Sequence, residues 1–221
     1  MSRIKSIFVR DLFNDKVALV TGGGSGIGFR TAIELAILGC TVIIAGRQEP
    51  RLIEAAREIE QQIQLATSKG RVFYHQLNIR DSESREACIN WIKSEIGKLD
   101  YLVNNAGGQF PTVAEDCSEK GWKSVIDLNL SGTFLMSRDI MNEFFMERKS
   151  GVIVNVIADM WKGFPTMVHT GAARAAVHNI TQTLAIEWAK YGVRVLSVAP
   201  GTIDSSGLKS CKCSLFQFTL W

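Results

Sequence analysis

A glycine-rich turn, Thr21-Gly22-Gly23-Gly24-Ser25-Gly26-Ile27-Gly28, separates the short apolar run Val17–Thr21 from a helical pattern. Glycines at 22, 26 and 28 let the chain turn tightly and bring its backbone close to a ligand. They also aim free helix N-terminal N–H groups at a pyrophosphate, so the turn reads as a dinucleotide cradle. A cradle that takes NAD carries an acid roughly 20 residues further on, which holds the ribose 2′-hydroxyl. Here the second apolar run ends Ala45-Gly46-Arg47, and Arg47 stands where that acid would be. A guanidinium matches a 2′-phosphate in shape and charge, which points to NADP(H). A solvent-facing Arg at a strand end is the alternative reading of Arg47.

The elements that position these residues alternate along the chain. Apolar strand-like runs fall at 17–21, 41–45, 71–75, 100–104, 151–155 and 193–198. Helical patterns lie between them at 26–38, 49–66, 83–96, 120–147 and 172–190. Continuous apolar strands separated by helices predict an α/β fold with a parallel sheet covered on both faces. The 107–119 stretch is the longest irregular connection in the first two thirds.

Composition narrows the class. The chain has 221 residues, 46% apolar and 21% charged, which is ordinary globular usage. A net charge of only +3 argues against a nucleic-acid binder. No apolar run is long enough to predict a membrane span. Five cysteines with no regular spacing predict reduced intracellular thiols rather than a disulfide framework. Cys211-Lys212-Cys213 lacks metal-ligand spacing, and no metal site is expected.

The spacing Thr-Gly-x3-Gly-x-Gly, followed by Asn104-Asn105-Ala106-Gly107 after the fourth strand, resembles the short-chain dehydrogenase/reductase family. Asn78 after the third strand, Asn129 on the long helix and Pro200-Gly201 after the sixth strand match it too. The resemblance runs from about Lys16 to Ser205. It implies a Rossmann doubly wound sheet of strand order 3-2-1-4-5-6, with the nicotinamide at the carboxyl edge. It implies cofactor contacts from Thr21, Gly22, Ser25, Gly26, Ile27, Gly28, Arg47, Asn78 and Ile79. Asn105, Ala106, Gly107, Arg174, Pro200, Gly201 and Ile203 complete that set.

Within the family, Asn104–Phe110, Gly163-Phe164-Pro165, His169–Ala175 and Leu184–Trp188 are similar to peroxisomal trans-2-enoyl-CoA reductases. The 2,4-dienoyl-CoA reductases are the next relatives. Setting this chain against the family's Ser and Tyr-x3-Lys places Ala158 at the Ser, Thr170 at the Tyr and Arg174 at the Lys. A Thr hydroxyl is a poor general acid near neutral pH, so alcohol–ketone chemistry is not expected. Reduction of an enoyl thioester asks mainly for hydrogen-bond donors at the thioester oxygen, where enolate charge gathers. The expected catalytic set is Asn129, Thr170, Arg174 and His178. His178 stands where the resembling enoyl reductases carry a Tyr, and its unperturbed pKa suits an acid. An ordinary partly buried helix histidine is its other reading. His75 reads as packing and His169 as a pocket-lining candidate. Trp161, Phe164 and Met167 read as an acyl slot or as core.

The resemblance therefore implies NADPH-dependent reduction of the 2,3 double bond of trans-2-enoyl-CoA esters. The 2,4-dienoyl-CoA reaction and an inactive cofactor-binding or assembly module are the alternatives. It also implies an acyl-CoA partner, a homo-oligomer and a peroxisomal location, although Thr219-Leu220-Trp221 is not a peroxisomal address of the Ser-Lys-Leu kind, and mitochondrial and cytoplasmic locations are the alternatives. The expected organisation is an arm at 1–15, an NADP-binding domain at 16–205 and a divergent tail at 206–221. On this reading the family's seventh strand is missing.

Overall fold

The computed structural model describes residues 6–203. The expected tail at 206–221, the cysteines at 211 and 213 and the expectation about a seventh strand all fall outside the described residues. Six strands follow one another: β1 (Val17–Thr21), β2 (Thr41–Gly46), β3 (Arg71–Gln76), β4 (Tyr101–Asn104), β5 (Gly151–Val156) and β6 (Val193–Val198). They form one parallel sheet, as the residue pattern predicts, of order β3-β2-β1-β4-β5-β6, as the family resemblance implies.

Side-chain alternation along β1 builds two cores. Val17 and Leu19 pack with Leu77, Ile92, Met136, Phe145 and Leu184 on one face. Ala18 and Val20 pack with Ala32, Ile33, Leu52 and Ile59 on the other. Hence α1 (Gly26–Ile37) and α2 (Glu49–Ala66) cover one face. The opposite face is covered by α3 (Ser82–Glu95), by the long helical arm and by α7 (Val168–Trp188). β1 is buried along its whole length, as a central strand covered on both faces must be.

Two helices depart from the expected pattern. The helix expected over 120–147 is a chain of segments: α4 (Glu119–Ile126), a π turn at Asp127–Ser131, α5 (Gly132–Ile140), a second π turn at Met141–Phe145, and α6 (Met146–Arg148). Helix α7 starts at Val168, a turn earlier than the expected 172. Val168-His169-Thr170-Gly171 has weak helix propensity, which hid this turn in the sequence. Burial of Met167, His169 and Thr170 overrides that preference.

A chain of buried polar groups ties these helices through the sheet. Asn104 Nδ2 donates to Ser137 Oγ at 2.8 Å and to Asn155 Oδ1 at 2.9 Å. Asn155 Nδ2 donates to Thr181 Oγ1 on α7 at 2.9 Å. β4 and β5 thus fix the rotation of both helices that bear the expected catalytic residues.

Candidate active site

The loops after all six strands meet at the carboxyl edge of the sheet, and the order reverses between β1 and β4, where α/β sheets bind ligands. Gly22 has φ +66°, and its N–H donates to Ala45 O at 2.7 Å. Gly26 opens α1 with φ +56°. Ser25 precedes it in extended conformation, and its side chain makes no cap bond to the first N–H groups of α1. Ile27, half-buried, lies in that first turn. A Cβ at Gly28 would stand 2.3 Å from Asn105 Nδ2 and 2.6 Å from Gly22 O. The third glycine therefore serves the packing of the helix onto the loops. The cradle fits an anionic group: open amides, a positive helix end and no side chain in the way.

Thr21 and Asn105 brace this cradle. Thr21 Oγ1 donates to Val103 O at 3.2 Å and accepts from the N–H groups of Asn105 at 3.1 Å and Ala106 at 3.0 Å. Asn105 Nδ2 donates to Thr21 O at 3.1 Å and Gly22 O at 3.2 Å. Their side chains are thus engaged within the scaffold.

Arg47 is exposed just after β2 and lines a cavity of about 520 Å³ with Gln48, Glu49, Arg51, Glu54 and Gln76. Gln76 Nε2 donates to Arg47 O at 3.0 Å and fixes that backbone. Arg51 is a cation the sequence reading missed. A Cβ at Gly24 would lie 3.3 Å from Arg51 Cγ, so its stem runs along the glycine turn. After β3, the Asn78 N–H donates to Ser84 Oγ at 3.0 Å, and Asn78 Oδ1 accepts from the Arg80 N–H at 3.3 Å. Ile79 is buried under Gly132.

The charged centre of the site joins three elements. Arg174 on α7 donates from one Nη to Val156 O at 3.0 Å and from the other to Asn129 Oδ1 at 3.3 Å. Asn129, fully buried in the first π turn, also accepts from the Gly108 N–H at 3.0 Å and donates to Gly108 O at 2.8 Å. Gly107 lies so close that a Cβ there would fall 2.3 Å from an Arg174 Nη. Burial lowers the Arg174 guanidinium to about 10, which leaves it charged at neutral pH. Among the described residues no carboxylate pairs with it.

Thr170 and His178 lie on α7 one turn to either side of Arg174. Thr170 is buried; its N–H donates to His169 Nδ1 at 2.8 Å, and its hydroxyl lies 3.2 Å from the same nitrogen. His169 is fully buried and packs edge-on against Phe110, with ring centroids 4.6 Å apart. Burial lowers its pKa, with backbone at Phe110 opposing in part. His178 meets Trp161 edge-on at 4.9 Å, and its buried Nδ1 has no hydrogen-bond partner among the described residues. His75 packs against Trp91 at 5.3 Å, far along the chain from these groups. Ala158 follows β5, where the Ile157 N–H donates to Val198 O at 2.8 Å and the Asp159 N–H to Pro200 O at 3.3 Å. Those bonds bring the Pro200-Gly201 turn beside the loop after β5, while Gly201 and Ile203 are exposed. A mostly apolar cavity of about 580 Å³ opens beside α7, lined by Thr112, Met160, Phe164, Pro165, Val168 and Ala175. Of the expected acyl-slot residues, Phe164 lines it, Met167 is core and Trp161 is mostly exposed.

Comparison with known proteins agrees with this geometry. The short chain dehydrogenase profile matches residues 16–212. A peroxisomal 2,4-dienoyl-CoA reductase [(3E)-enoyl-CoA-producing] of Rattus norvegicus is 38% identical over 207 residues, 93% of this chain and 69% of the relative. A probable 2,4-dienoyl-CoA reductase [(2E)-enoyl-CoA-producing] of Bacillus subtilis is 37% identical, covering 87% of this chain and 74% of the relative. The solved citronellol catabolism dehydrogenase of Pseudomonas aeruginosa superposes with TM-score 0.82 at 44% identity, over 89% of this chain and 78% of that one. An actinorhodin polyketide ketoreductase solved with NADPH superposes with TM-score 0.79 at 29% identity, over 88% and 73%. This chain belongs to the short-chain dehydrogenase family, and it is an oxidoreductase of that family.

Proposed function

We propose that this chain reduces the 2,3 double bond of trans-2-enoyl-CoA thioesters with NADPH. The observation that carries the reading is Arg174: a charged guanidinium, held among the described residues by neutral acceptors, at the carboxyl edge of the sheet. Such a cation favours a reaction that develops negative charge on a carbonyl oxygen. Held in the cradle of residues 21–28, NADPH would supply a hydride. The hydride enters at the β carbon, the double-bond electrons move toward the thioester oxygen, and the α carbon then takes a proton. Arg174 stabilises the enolate charge, or the ribose beside it, and Asn129 sets the guanidinium plane. The Thr170 hydroxyl orients a group, and His178 supplies the proton. Thr21 and Asn105 hold the cradle open; Gly22, Ser25, Gly26, Ile27 and Gly28 present it. Asn78 and Ile79 face the adenine, Arg47 with Arg51 takes the 2′-phosphate, and Ala106, Gly107, Pro200, Gly201 and Ile203 border the nicotinamide half. Residues 16–205 form the cofactor-binding domain on this reading, flanked by the arm at 1–15 and the tail at 206–221.

The assay is NADPH oxidation by the purified chain with trans-2-enoyl-CoA esters of graded length. Absence of oxidation with every enoyl- and dienoyl-CoA would sink the reading. The relatives' names favour a second substrate, 2,4-dienoyl-CoA, in which hydride enters one vinyl unit further on. Relative turnover and the double-bond position in the product separate the two. The replaced Tyr, Lys and Ser positions favour a third reading, a cofactor-binding module without turnover, which saturable NADPH binding without oxidation would support. A homo-oligomer through the long arm and α7 is part of the proposal, since Trp122, Phe134 and Ile186 are exposed on them. Sedimentation of the purified chain as a monomer would overturn that part. A peroxisomal location is proposed on the resemblance and on the names of the relatives.

A further inference from the structure

Arg85 is a buried cation on α3, away from the groups assigned above. Its Nε donates to Asp139 Oδ2 on α5 at 2.8 Å, and its Nη1 donates to Ile79 O at 3.0 Å. The fork therefore joins three things: the helix after β3, the helix that follows the Asn129 turn, and the backbone between β3 and α3. That backbone carries Asn78 and Ile79. The Leu77 N–H donates to Gly46 O at 2.8 Å and ties the start of that backbone to β2, and further anchors come from α3 itself. Ser84 Oγ accepts the Asn78 N–H, and Asp81 Oδ1 accepts the Glu83 N–H at 3.2 Å. Gly132 of α5 leaves room for Ile79, since a Cβ there would fall 2.8 Å from Ile79 Cγ1. Asp139 also takes two bonds from Arg138, which keeps the carboxylate oriented.

We propose that Arg85 is a positioning residue for the adenine side of the cofactor site, clamping the Asn78–Ile79 backbone to α5 through Asp139. The proposal rests on the reading of Asn78 and Ile79 as adenine contacts. A loop held only by its own turn would sample several positions, and a ligand would select one at a cost in affinity. A guanidinium serves both partners at once because its donors diverge in a rigid plane. An ammonium can neutralise Asp139 but cannot hold the second bond in the same geometry. Charge neutralisation and loop positioning are therefore separable.

The experiment measures binding of 2′,5′-ADP, the adenine half of NADP, to the full chain by calorimetry, beside thermal unfolding. Arg85→Lys keeps a cation against Asp139 and should weaken 2′,5′-ADP by about tenfold, the scale of one charge-assisted hydrogen bond. Arg148→Lys is the control. It alters a comparable ion pair, Arg148 with Asp100 at 2.9 Å, at the opposite edge of the sheet, and should leave affinity unchanged. Wild-type affinity in Arg85→Lys overturns the proposal, and so does an equal loss in Arg148→Lys, which would mean general loosening. If the unaltered chain does not bind 2′,5′-ADP, the NADP reading itself falls and this inference with it.

Discussion

Gly107 and Arg174 constrain one another so tightly that a single methyl group tests the site. A Cβ at position 107 would meet Arg174 at 2.3 Å and Asn129 Oδ1 at 2.7 Å. Arg174 cannot retreat without losing its bonds to Val156 O and Asn129 Oδ1. Gly107→Ala should therefore cost about 1–3 kcal/mol of stability, the usual scale of overpacking. Turnover should fall by roughly tenfold or more as the guanidinium is displaced. Urea unfolding and steady-state rates check the two effects, and Arg174→Lys in the same background should recover stability but not rate. Arg47 makes a different kind of contact. It is exposed and, among the described residues, anchored through its backbone, so its guanidinium acts at long reach. Arg47→Ala should leave folding unchanged and raise the KM for NADPH by about tenfold. The KM for NADH should stay put, and a parallel rise in both would remove the 2′-phosphate role. The motif made Gly107, Arg47 and Asn129 visible in the sequence. It could not show that Thr21 and Asn105 spend their side chains on each other's loops, because motif spacing fixes position and not hydrogen-bond direction.

Elements were legible wherever one physical signal dominated. The six strands are short runs rich in β-branched, aromatic and other apolar residues, and each observed strand lies within a residue of its expected bounds. The π turn at Asp127–Ser131 was hidden, because one extra residue in a turn barely disturbs apolar spacing over a long helix. Yet that turn carries Asn129 toward Gly108 and Arg174. The Arg85–Asp139 bridge was hidden for another reason: its partners lie 54 residues apart, and no local pattern pairs them. Helix α3 offers an element-scale test. Its start depends on Asp81, whose carboxylate accepts the Glu83 N–H at 3.2 Å. Asp81→Ala should destabilise the chain by about 1 kcal/mol, and Asp81→Asn should restore most of it. Hydrogen exchange should show the gain in mobility at the first turn of α3 and not in α1 or α7. Uniform exchange along the three helices would deny the cap its local role.

At the scale of the whole molecule, a buried imidazole links fold stability to pH. His169 sits in the first turn of α7, wedged against Phe110 of the long connection after β4. Beside it the Thr112 N–H donates to Thr166 O at 2.7 Å, so this contact and the ring pair close the same seam. The His169 Nδ1 accepts the Thr170 N–H, which places the ring proton on Nε2 and makes the neutral ring the form that fits. Burial lowers its pKa below the ordinary 6.5. The unfolded chain then takes up this proton at higher pH than the folded chain does. Well above pH 6.5 both states are neutral here, and the group's contribution to stability is fully present and flat. As pH falls below that value the unfolded state binds the proton first and stability declines. The decline ends once pH has passed the lower folded value. His169→Gln keeps a polar side chain but does not titrate, so its stability should lack this component of the acid loss. Urea midpoints of the two proteins between neutral pH and mild acid should converge as pH drops. Parallel curves would show that the seam is indifferent to the charge of His169. Converging curves would mean that one buried ring holds the first turn of α7, and with it Thr170 and Arg174, against the loop that carries Gly107.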